Sequence, residues 1–569
     1  MGATKHIQIY DTTLRDGCQS EDVSLAIGDK VEIARRLDEL GIDYIEGGWP
    51  GSNERDAAFF TEIKKIRLHH AKVAAFGSTR RAGIKASADR NLQLLLRAAT
   101  PVATVVGKTW DMHVREALRI PNSENLEIIH DTIAFLVKHF DEAIFDAEHF
   151  FDGYHANPEY ALSCLKAADD AGVTLIALCD TNGGRLPHEI GAAVAAARDT
   201  VDCAIGIHCH NDCEAAVANS VAAVEAGATQ VQGTINGIGE RCGNANLVSV
   251  IGNLQIKLGY NCVPPAKLKT LREVSTLVYE LANITPFARQ AYVGRSAFAH
   301  KAGLHVSAIQ RNSRAYEHID PALVGNDRRV LLSELSGRSN IVYKAKEFGL
   351  DLGAADGKIN VLLDELKRLE AEGYVFDGAD ASFELLMLRT LGRAKAHFNF
   401  VSFRVFDDKW HEDQVPFSEA VVVIEGPGGV RTRNSAIGNG PVNALDSALR
   451  KALLPYYPNL ETMRLVDYKV RVLEGGAGTG ARVRVLIESA DDKRRWGTVG
   501  LSNNVVEASW QALVDSIEYK LHKDNLKPRV KAAASKTSPP APLPSGKGKS
   551  NRALRPRVPP LQKEAGGRG

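Results

Sequence analysis

Two histidines at positions 208 and 210 are the residues of this chain whose type and spacing most clearly suggest chemistry. They end a strand-like segment, 204–210, and side chains two apart in a strand point to the same side. Small residues share that side, whereas isoleucines point to the other. A single histidine is more often structural, but two imidazoles on one face are typical metal ligands. The pair predicts a metal site if further ligands lie nearby.

Charged or glycine-containing segments follow four other strand-like segments and could supply those ligands. They are 11–19, 146–149, 179–184 and 237–244. Each one alone is weak, because a loop carboxylate is usually only solvated and glycines need not bind phosphate. In a barrel, however, the carboxyl-terminal ends of all parallel strands meet at one face. Their common placement indicates one site built from several loops.

Alternating strand-like and helical segments position these residues within the first 255 or so residues. In the helical segment 29–40, Ile33, Leu37 and Leu40 share a face and Gly41 provides a stop. The strand candidates are 7–11, 44–47, 73–77, 102–107, 143–147, 174–179, 204–210 and 231–235. Eight such units predict an α/β fold with a TIM (β/α)8 barrel over 1–258. A doubly wound open sheet, which more often has about five to seven strands, is the alternative.

The rest of the chain follows other patterns. Residues 259–394 predict a helical linker or lid region, and 395–526 predict a small α/β regulatory domain with strands at 400–406, 419–425, 466–473 and 482–489. Within that domain, 437–449 and 501–513 resemble each other at an offset of 64 residues. Such a repeat predicts internal pseudo-symmetry and a cleft suited to an effector or a subunit contact.

Composition and charge exclude several classes of protein. The 569 residues are 44% apolar and 24% charged, as in globular proteins, and no run of about 18 apolar residues predicts a membrane span. The first residues lack a signal-peptide core, so we expect a cytoplasmic protein. From Lys527 to Gly569, eleven Lys/Arg and one acid give +10, which leaves −9 for the remainder of a chain whose total is +1. We predict that this proline-rich basic tail (527–569) is disordered and binds no nucleic acid.

Three motifs in order resemble a known family. The TTLRDG loop (12–17), the HxHND strand (208–212) and the GxGERxGN loop (237–244) are similar to those of metal-dependent enzymes that condense acyl-CoA with 2-oxo acids. These are the isopropylmalate, homocitrate and citramalate synthases; carboxyltransferases and hydroxymethylglutaryl-CoA lyases share the barrel. The resemblance extends to about residue 525, because the last module is similar to the effector-binding domain of the synthases. It implies a homodimer with isoleucine as the expected effector.

Within the family, five stretches are most similar to citramalate synthases: 47–53, 107–111, 145–153, 316–321 and 333–340. Isopropylmalate synthases usually carry His-Gln-Asp where this chain has His305-Val306-Ser307, so that Asp is absent and its role is unassigned. The resemblance therefore implies condensation of acetyl-CoA with pyruvate to (R)-citramalate and CoA, in threonine-independent isoleucine synthesis. Isopropylmalate or homocitrate synthesis is the alternative within the family.

The resemblance also implies the ligands of the metal and of the oxo acid. Arg15 matches the arginine that holds the 2-oxo acid and its developing alkoxide, and Thr181 the threonine that binds the carboxylate. The expected metal, Zn²⁺, Mn²⁺, Co²⁺ or Mg²⁺, is assigned to Asp16, His208, His210 and, near or on it, Asn244.

The same resemblance implies the residues that act on acetyl-CoA. Glu148 and His305 match a catalytic base pair, and Tyr316 matches an assisting tyrosine. Because His305 lies outside the barrel in sequence, the helical region must cover the barrel mouth, from the same or the partner subunit. The acyl-CoA loop is matched by Gly237, Gly239, Glu240, Arg241 and Gly243.

Two readings outside the family are weaker. A metallohydrolase barrel commonly places its HxH motif after the first strand, whereas here the motif is on the seventh, and a CoA loop would be unexplained. An interaction protein with an inert barrel would not need Arg15, Asp16, Glu148 and both histidines together.

Overall fold

The computed structural model describes residues 5–331, 337–352, 356–412, 414–473 and 480–529. The chain forms two compact units that divide between Asp377 and Gly378. The tail from residue 530 onward and residues 333–336 of the 333–340 stretch lie outside the described residues. No helix within the described ranges is both long and apolar enough to cross a membrane.

The first unit contains a closed barrel of eight strands in sequence order, each parallel to its neighbours. The strands are β1 (Gln8–Asp11), β2 (Tyr44–Glu46), β3 (Lys72–Ser78), β4 (Val102–Lys108), β5 (Glu142–Glu148), β6 (Leu175–Asp180), β7 (Ala204–Cys209) and β8 (Gln230–Gly233). The longer helices between and after them are Ile27–Leu40, Glu54–Ile63, Arg90–Ala98, Asn122–Leu136, Phe150–Ala156, Pro158–Asp170, Pro187–Arg198 and Ala216–Ala226. The predicted TIM barrel is confirmed, and the open sheet is excluded.

The alternation of side chains along β7 explains how the barrel presents its histidines. Ile205 and Ile207 are buried in the apolar layer between strands and helices. The side chains of His208 and His210 instead line a cavity at the barrel mouth. The helix Ile27–Leu40 likewise buries its apolar face. It ends at Gly41, which has φ +96°, and a Cβ at this position would lie 2.4 Å from Cδ of Pro264. Glycine is therefore needed at that turn.

The region after the barrel is mostly helical, as predicted. Within the first unit its longer helices are Leu271–Leu281, Gly303–Arg311, Arg338–Glu347 and Asp356–Glu372. Two short parallel strands, β9 (Ala299–His300) and β10 (Arg329–Val330), lie between them. Ser275 Oγ on the first of these helices donates to Oδ1 of Asn236 in the loop after β8, 2.5 Å away, so this helix is fastened to the barrel.

The second unit begins at Gly378, earlier than the predicted boundary at 395, because the helix Asp380–Leu391 packs within it. Ser382 Oγ on this helix accepts a hydrogen bond from the backbone N–H of Val499, 3.0 Å away. Two antiparallel three-stranded sheets follow, each with one helix: β11 (Asn399–Asp408), β12 (Phe417–Glu425), β13 (Arg431–Gly438) and Pro441–Leu453, then β14 (Arg464–Val472), β15 (Val483–Ala490), β16 (Arg495–Ser502) and Val505–Asp524.

The predicted repeat in the second unit is confirmed, but each copy has three strands rather than the two expected. The additional strands, β13 and β16, begin 64 residues apart, as do the helices that follow them. The first five residues of β13 are all polar and much of the strand is exposed, so the sequence lacks the apolar run that marks a strand.

A candidate metal and oxo-acid site at the barrel mouth

A cavity of about 210 Å³ opens at the carboxyl-terminal ends of the barrel strands. Side chains from the ends of most strands line it, as the placement of the loops predicted. The predicted site residues among them are Arg15, Asp16, Glu148, Thr181, His208, His210 and Glu240. The barrel thus brings together residues that are up to 225 positions apart in sequence.

Asp16, His208 and His210 form the core of the site. All three are buried, and their ligand atoms lie within 4.8 Å of one another. The Nε2 atoms of the two histidines are 3.4 Å apart, and Nε2 of His208 is 3.4 Å from Oδ2 of Asp16. Ligand atoms at about 2.0–2.2 Å from one metal ion have separations of this size. The geometry fits a divalent cation held by two imidazoles and one carboxylate.

Asn244 provides a second indication that a cation belongs here. Its backbone bridges to that of His210, and its Oδ1 is buried without a hydrogen-bond donor among the described residues. A buried acceptor left unpaired costs about 1–3 kcal/mol, and a neighbouring cation would remove that cost. The loop before it holds Asn244 closely, because a Cβ at Gly239 would lie 2.2 Å from Nδ2 of Asn244.

The charges of Asp16 and His210 suit a cation site. Although burial opposes ionisation of Asp16, Arg15 and then His208 hold the pKa of this carboxyl well below its usual range. Burial and then the neighbouring His208 lower the pKa of His210 to about 4. At neutral pH the site therefore presents an ionised carboxylate and, at His210, a neutral imidazole, which are the forms that bind metals.

Arg15 is held by two groups that the sequence analysis did not identify. Its Nε donates to Oε2 of the buried Glu46, 2.5 Å away, and its guanidinium carbon lies 3.9 Å from the centre of the Phe76 ring. The hydroxyl of Tyr10 donates to the other oxygen of Glu46, at 3.0 Å. Glu46 was detectable in principle, because a carboxylate at the end of the apolar strand β2 is unusual.

A buried hydrogen-bonded chain also orients His208. Nε2 of Gln232 donates to Oδ1 of Asp146 at 3.0 Å, and Oε1 of the same amide accepts from Nδ1 of His208 at 3.1 Å. The Nδ1 proton leaves Nε2 of His208 free to face Asp16 and His210. Burial, and then the charge of Glu46, raise the pKa of Asp146 to about 7. A glutamine inside β8 was the available sign of this role.

The loops after β5 to β8 are tied to one another around the cavity. Glu148 pairs with Lys108, a partner that the sequence analysis did not identify. Oγ1 of Thr181 accepts from the backbone N–H of His149 at 2.9 Å, so its own proton is free for a ligand. Arg241 donates to both carboxylate oxygens of Asp212, at 2.8 and 2.9 Å, and to the carbonyl of Thr181 at 2.7 Å.

The remaining predicted residues divide into two groups. Gly237 and Gly243 lie in the loop after β8 with φ +71° and +89°, and a Cβ at Gly243 would lie 2.0 Å from the carbonyl oxygen of Gly237. His305 and Tyr316 stack on each other with ring centres 4.0 Å apart, but neither of them lines the cavity. The described residues of one chain therefore do not make these two rings part of the cavity wall.

Comparison with known proteins covers most of the described chain. Residues 6–278 match the HMGL-like family, residues 292–373 the homocitrate synthase post-HMGL domain-like family, and residues 377–521 the LeuA allosteric (dimerisation) domain. The (R)-citramalate synthase of Geobacter sulfurreducens is 56% identical over 517 residues, covering 91% of this chain and 98% of that protein.

Two further relatives separate the possibilities within the family. The (R)-citramalate synthase of Aquifex aeolicus is 53% identical over 519 residues, again covering 91% and 98% of the two chains. The 2-isopropylmalate synthase of Oceanobacillus iheyensis is only 32% identical over 532 residues, with the same coverage of 91% and 98%. The chain belongs to the (R)-citramalate synthase family.

Proposed function

We propose that this chain condenses acetyl-CoA with pyruvate and hydrolyses the resulting thioester, releasing (R)-citramalate and CoA. The observation that carries the proposal is the buried triad of Asp16, His208 and His210, with Arg15 beside it. The names of the two (R)-citramalate synthases described above support the choice of pyruvate.

The triad, with the amide oxygen of Asn244 nearby, would hold Zn²⁺, Mn²⁺, Co²⁺ or Mg²⁺. With a divalent cation held there, the site would supply the Lewis acidity that makes the ketone carbon of a 2-oxo acid electrophilic. Arg15, aligned by Glu46 and Phe76, stabilises the negative charge that develops on the ketone oxygen. Thr181 donates its free hydroxyl proton to the substrate carboxylate.

A base must remove a proton from the methyl group of acetyl-CoA before the carbon–carbon bond forms. We assign this step to Glu148 acting with His305, and we assign to Tyr316 an assisting role. The enolate carbon then bonds to the ketone carbon, and the resulting alkoxide takes up a proton. Water finally adds to the thioester carbonyl, the carbon–sulfur bond breaks, and CoA leaves as the thiolate.

The stacked pair of His305 and Tyr316 completes the site from the region after the barrel. We propose that it comes from the partner subunit of a homodimer, which would also cover the cavity and exclude water during condensation. The match of residues 377–521 to a dimerisation domain supports this assembly. The acyl-CoA loop is assigned to Gly237, Gly239, Glu240, Arg241 and Gly243.

A panel of oxo acids tests the proposal. Purified protein with a divalent metal is incubated with acetyl-CoA and, separately, pyruvate, 2-oxoisovalerate or 2-oxoglutarate, and free CoA is measured with a thiol reagent. We expect rapid release with pyruvate and slow release with the other two. Release with 2-oxoisovalerate or 2-oxoglutarate but not with pyruvate would contradict the assignment.

We also propose that the second unit mediates feedback inhibition by isoleucine. The enzyme would act in the cytoplasm, in threonine-independent isoleucine synthesis. The match to the LeuA allosteric domain and the repeated architecture support an effector site in this unit. Deleting the unit should remove inhibition by isoleucine. An active deletion variant with unchanged inhibition would contradict the proposal, and a size measurement would separate this effect from loss of the dimer.

A further inference from the structure

The proposed condensation creates negative charge on two oxygens, and the roles assigned above stabilise charge on one of them. Arg15 and the cation site serve the ketone oxygen of the oxo acid. The thioester oxygen of acetyl-CoA also becomes anionic when the methyl group loses a proton, and such charge needs a donor aimed at it. Arg241, in the proposed acyl-CoA loop, is already paired with both carboxylate oxygens of Asp212. A cation for the thioester oxygen is needed beside Glu148, where the proton is removed.

Lys108 lies at the mouth of the barrel, on the strand next to that of Glu148. The two residues are direct partners in the β4–β5 ladder, and Nζ of Lys108 forms an ion pair with Oε2 of Glu148. Alternate residues of β4 face the barrel interior: Thr104 Oγ1 lies 2.7 Å from the hydroxyl of Tyr10, and Val106 lines the catalytic cavity. Lys108 continues this row, so its side chain starts at the outer edge of the cavity.

The ion pair does not account for the position of either residue. The carbonyl of Lys108 accepts from Nδ2 of Asn125 at 2.9 Å, and the carbonyl of Glu148 accepts from Oγ1 of Thr109 at 2.8 Å, so other bonds fix both backbones. The side chains of Lys108 and Glu148 are 29% and 23% exposed, and ion pairs that water reaches add little to the stability of a fold. Both charged groups are also accessible to a ligand.

We propose that Lys108 is a further catalytic residue, whose ammonium group donates to the thioester oxygen of acetyl-CoA and stabilises the enolate. When a C–H bond of the methyl group breaks, its proton passes to the pair of Glu148 and His305, and its electrons form a C=C bond. The π electrons of the C=O bond move to the oxygen. Negative charge thus leaves the carboxylate as it appears on the thioester oxygen, and one ammonium group serves both positions in turn. This inference rests on the proposed function.

Two unreactive analogues of acetyl-CoA test this contact without turnover. In both, a methylene group replaces the sulfur; one ends in a methyl ketone, and the other ends in a carboxylate, which is charged as the enolate would be. Their affinities are measured by calorimetric titration of the full-length protein. Lys108→Met should lower the affinity for the carboxylate relative to that for the ketone about 100-fold, because only the carboxylate loses an opposite charge. Binding of the ketone shows that the variant is folded.

Lys72 provides a matched control. It forms the same kind of ion pair with Glu142, but these are the first residues of β3 and β5, at the opposite end of the barrel from the catalytic cavity. Lys72→Met should therefore leave the ratio of the two affinities unchanged. Lys108→Arg, which keeps the positive charge, should recover at least part of the binding of the carboxylate.

Isotope-labelled acetyl-CoA tests the same contact during turnover. Lys108→Met should lower kcat for CoA release about 100–1,000-fold, as the loss of one donor to an oxyanion does, and leave the KM for pyruvate unchanged. Enolate formation should then be slower than the later steps. Replacing the three methyl hydrogens by deuterium should therefore lower kcat by a larger factor in Lys108→Met than in wild type, an effect that a purely structural residue would not have.

Each contrary outcome overturns the inference. These outcomes are an unchanged ratio of the two affinities in Lys108→Met, a Lys108→Arg variant that binds the carboxylate as weakly as Lys108→Met, and an isotope effect no larger than that of wild type. If wild type releases no CoA with any oxo acid, the proposed function fails instead. The titrations then still test the contact between Lys108 and an anionic acyl oxygen, which is overturned too if wild type binds neither analogue.

Discussion

The barrel and the second unit differ in how their sequences relate to their structures: the barrel builds one site from unlike loops, whereas the second unit repeats one pattern. In the barrel, residues at or after the ends of β1, β5, β6, β7 and β8 line one site, and each of these elements supplies side chains with a role of their own. In the second unit, the same pattern of three strands and a helix occurs twice, with equivalent core positions 64 residues apart, such as Leu449 and Leu513. The site therefore depends on individual residues, whereas the second unit depends on pairs that share a role.

The largest effect is expected when one proposed metal ligand of the barrel site is removed. His210→Ala should lose bound metal and CoA-releasing activity together, with activity below about a thousandth of wild type, because no other described imidazole lines the site apart from His208. Metal content by mass spectrometry and CoA release with pyruvate are the measurements. A fully active, metal-loaded variant would show that the triad is not the metal site.

The next effect compares equivalent positions of the repeat. Leu449→Ala and Leu513→Ala should each destabilise the second unit by about 2–5 kcal/mol and by similar amounts, because both side chains are fully buried in its core. Hydrogen exchange within the second unit measures both losses. Val430→Ala, at a position that is 56% exposed, should change little. Markedly unequal losses of stability would contradict the expectation that Leu449 and Leu513 are equivalent core positions of the two copies.

A smaller effect concerns a residue that acts through a ligand. Gln232→Leu should weaken metal binding by about 10–100-fold, because His208 loses the acceptor that orients its ring. Competition with a chelator measures the affinity, and Gln93→Leu, on an outer helix, serves as the control. Unchanged affinity would show that Asp16 and the strand alone orient His208.

The smallest effect lies where the repeat is imperfect. Asn504 caps the helix Val505–Asp524 by accepting from the N–H groups of Val506 and Glu507, whereas the equivalent Gly440 has no side chain to do so. Asn504→Ala should therefore lower the free energy of unfolding by about 1 kcal/mol, and Asn504→Gly, which introduces the residue of the other copy, by no more than a few tenths. Hydrogen exchange at the start of this helix distinguishes the two variants, and equal losses would contradict the capping role of Asn504.

The sequence predicted the features that follow from local periodicity. The alternation along 204–210 predicted which way His208 and His210 point, and the eight strand-like segments predicted the barrel. Glu46 and Gln232 escaped notice because their partners, Arg15 and Asp146, lie 31 and 86 residues away and become neighbours only when the barrel closes.

Two other features depend on packing rather than on pattern. The helix Asp380–Leu391 has the same helical character as the region before it, and its contacts with β16 and with the helix Val505–Asp524 assign it to the second unit. The stacked pair of His305 and Tyr316 has a role that one chain does not define, since neither ring reaches the cavity. Sequence order carries no information about which subunit supplies such a pair.

The contacts that Glu46 and Phe76 make with Arg15 have a consequence for each catalytic cycle. A free arginine side chain loses up to about 2 kcal/mol of rotamer entropy when it is immobilised. Because Glu46 and Phe76 already hold the guanidinium, this loss occurs once, when the chain folds, and does not recur with every substrate that arrives. The free energy gained when a substrate binds to Arg15 is therefore not reduced by the cost of ordering this side chain at each turnover.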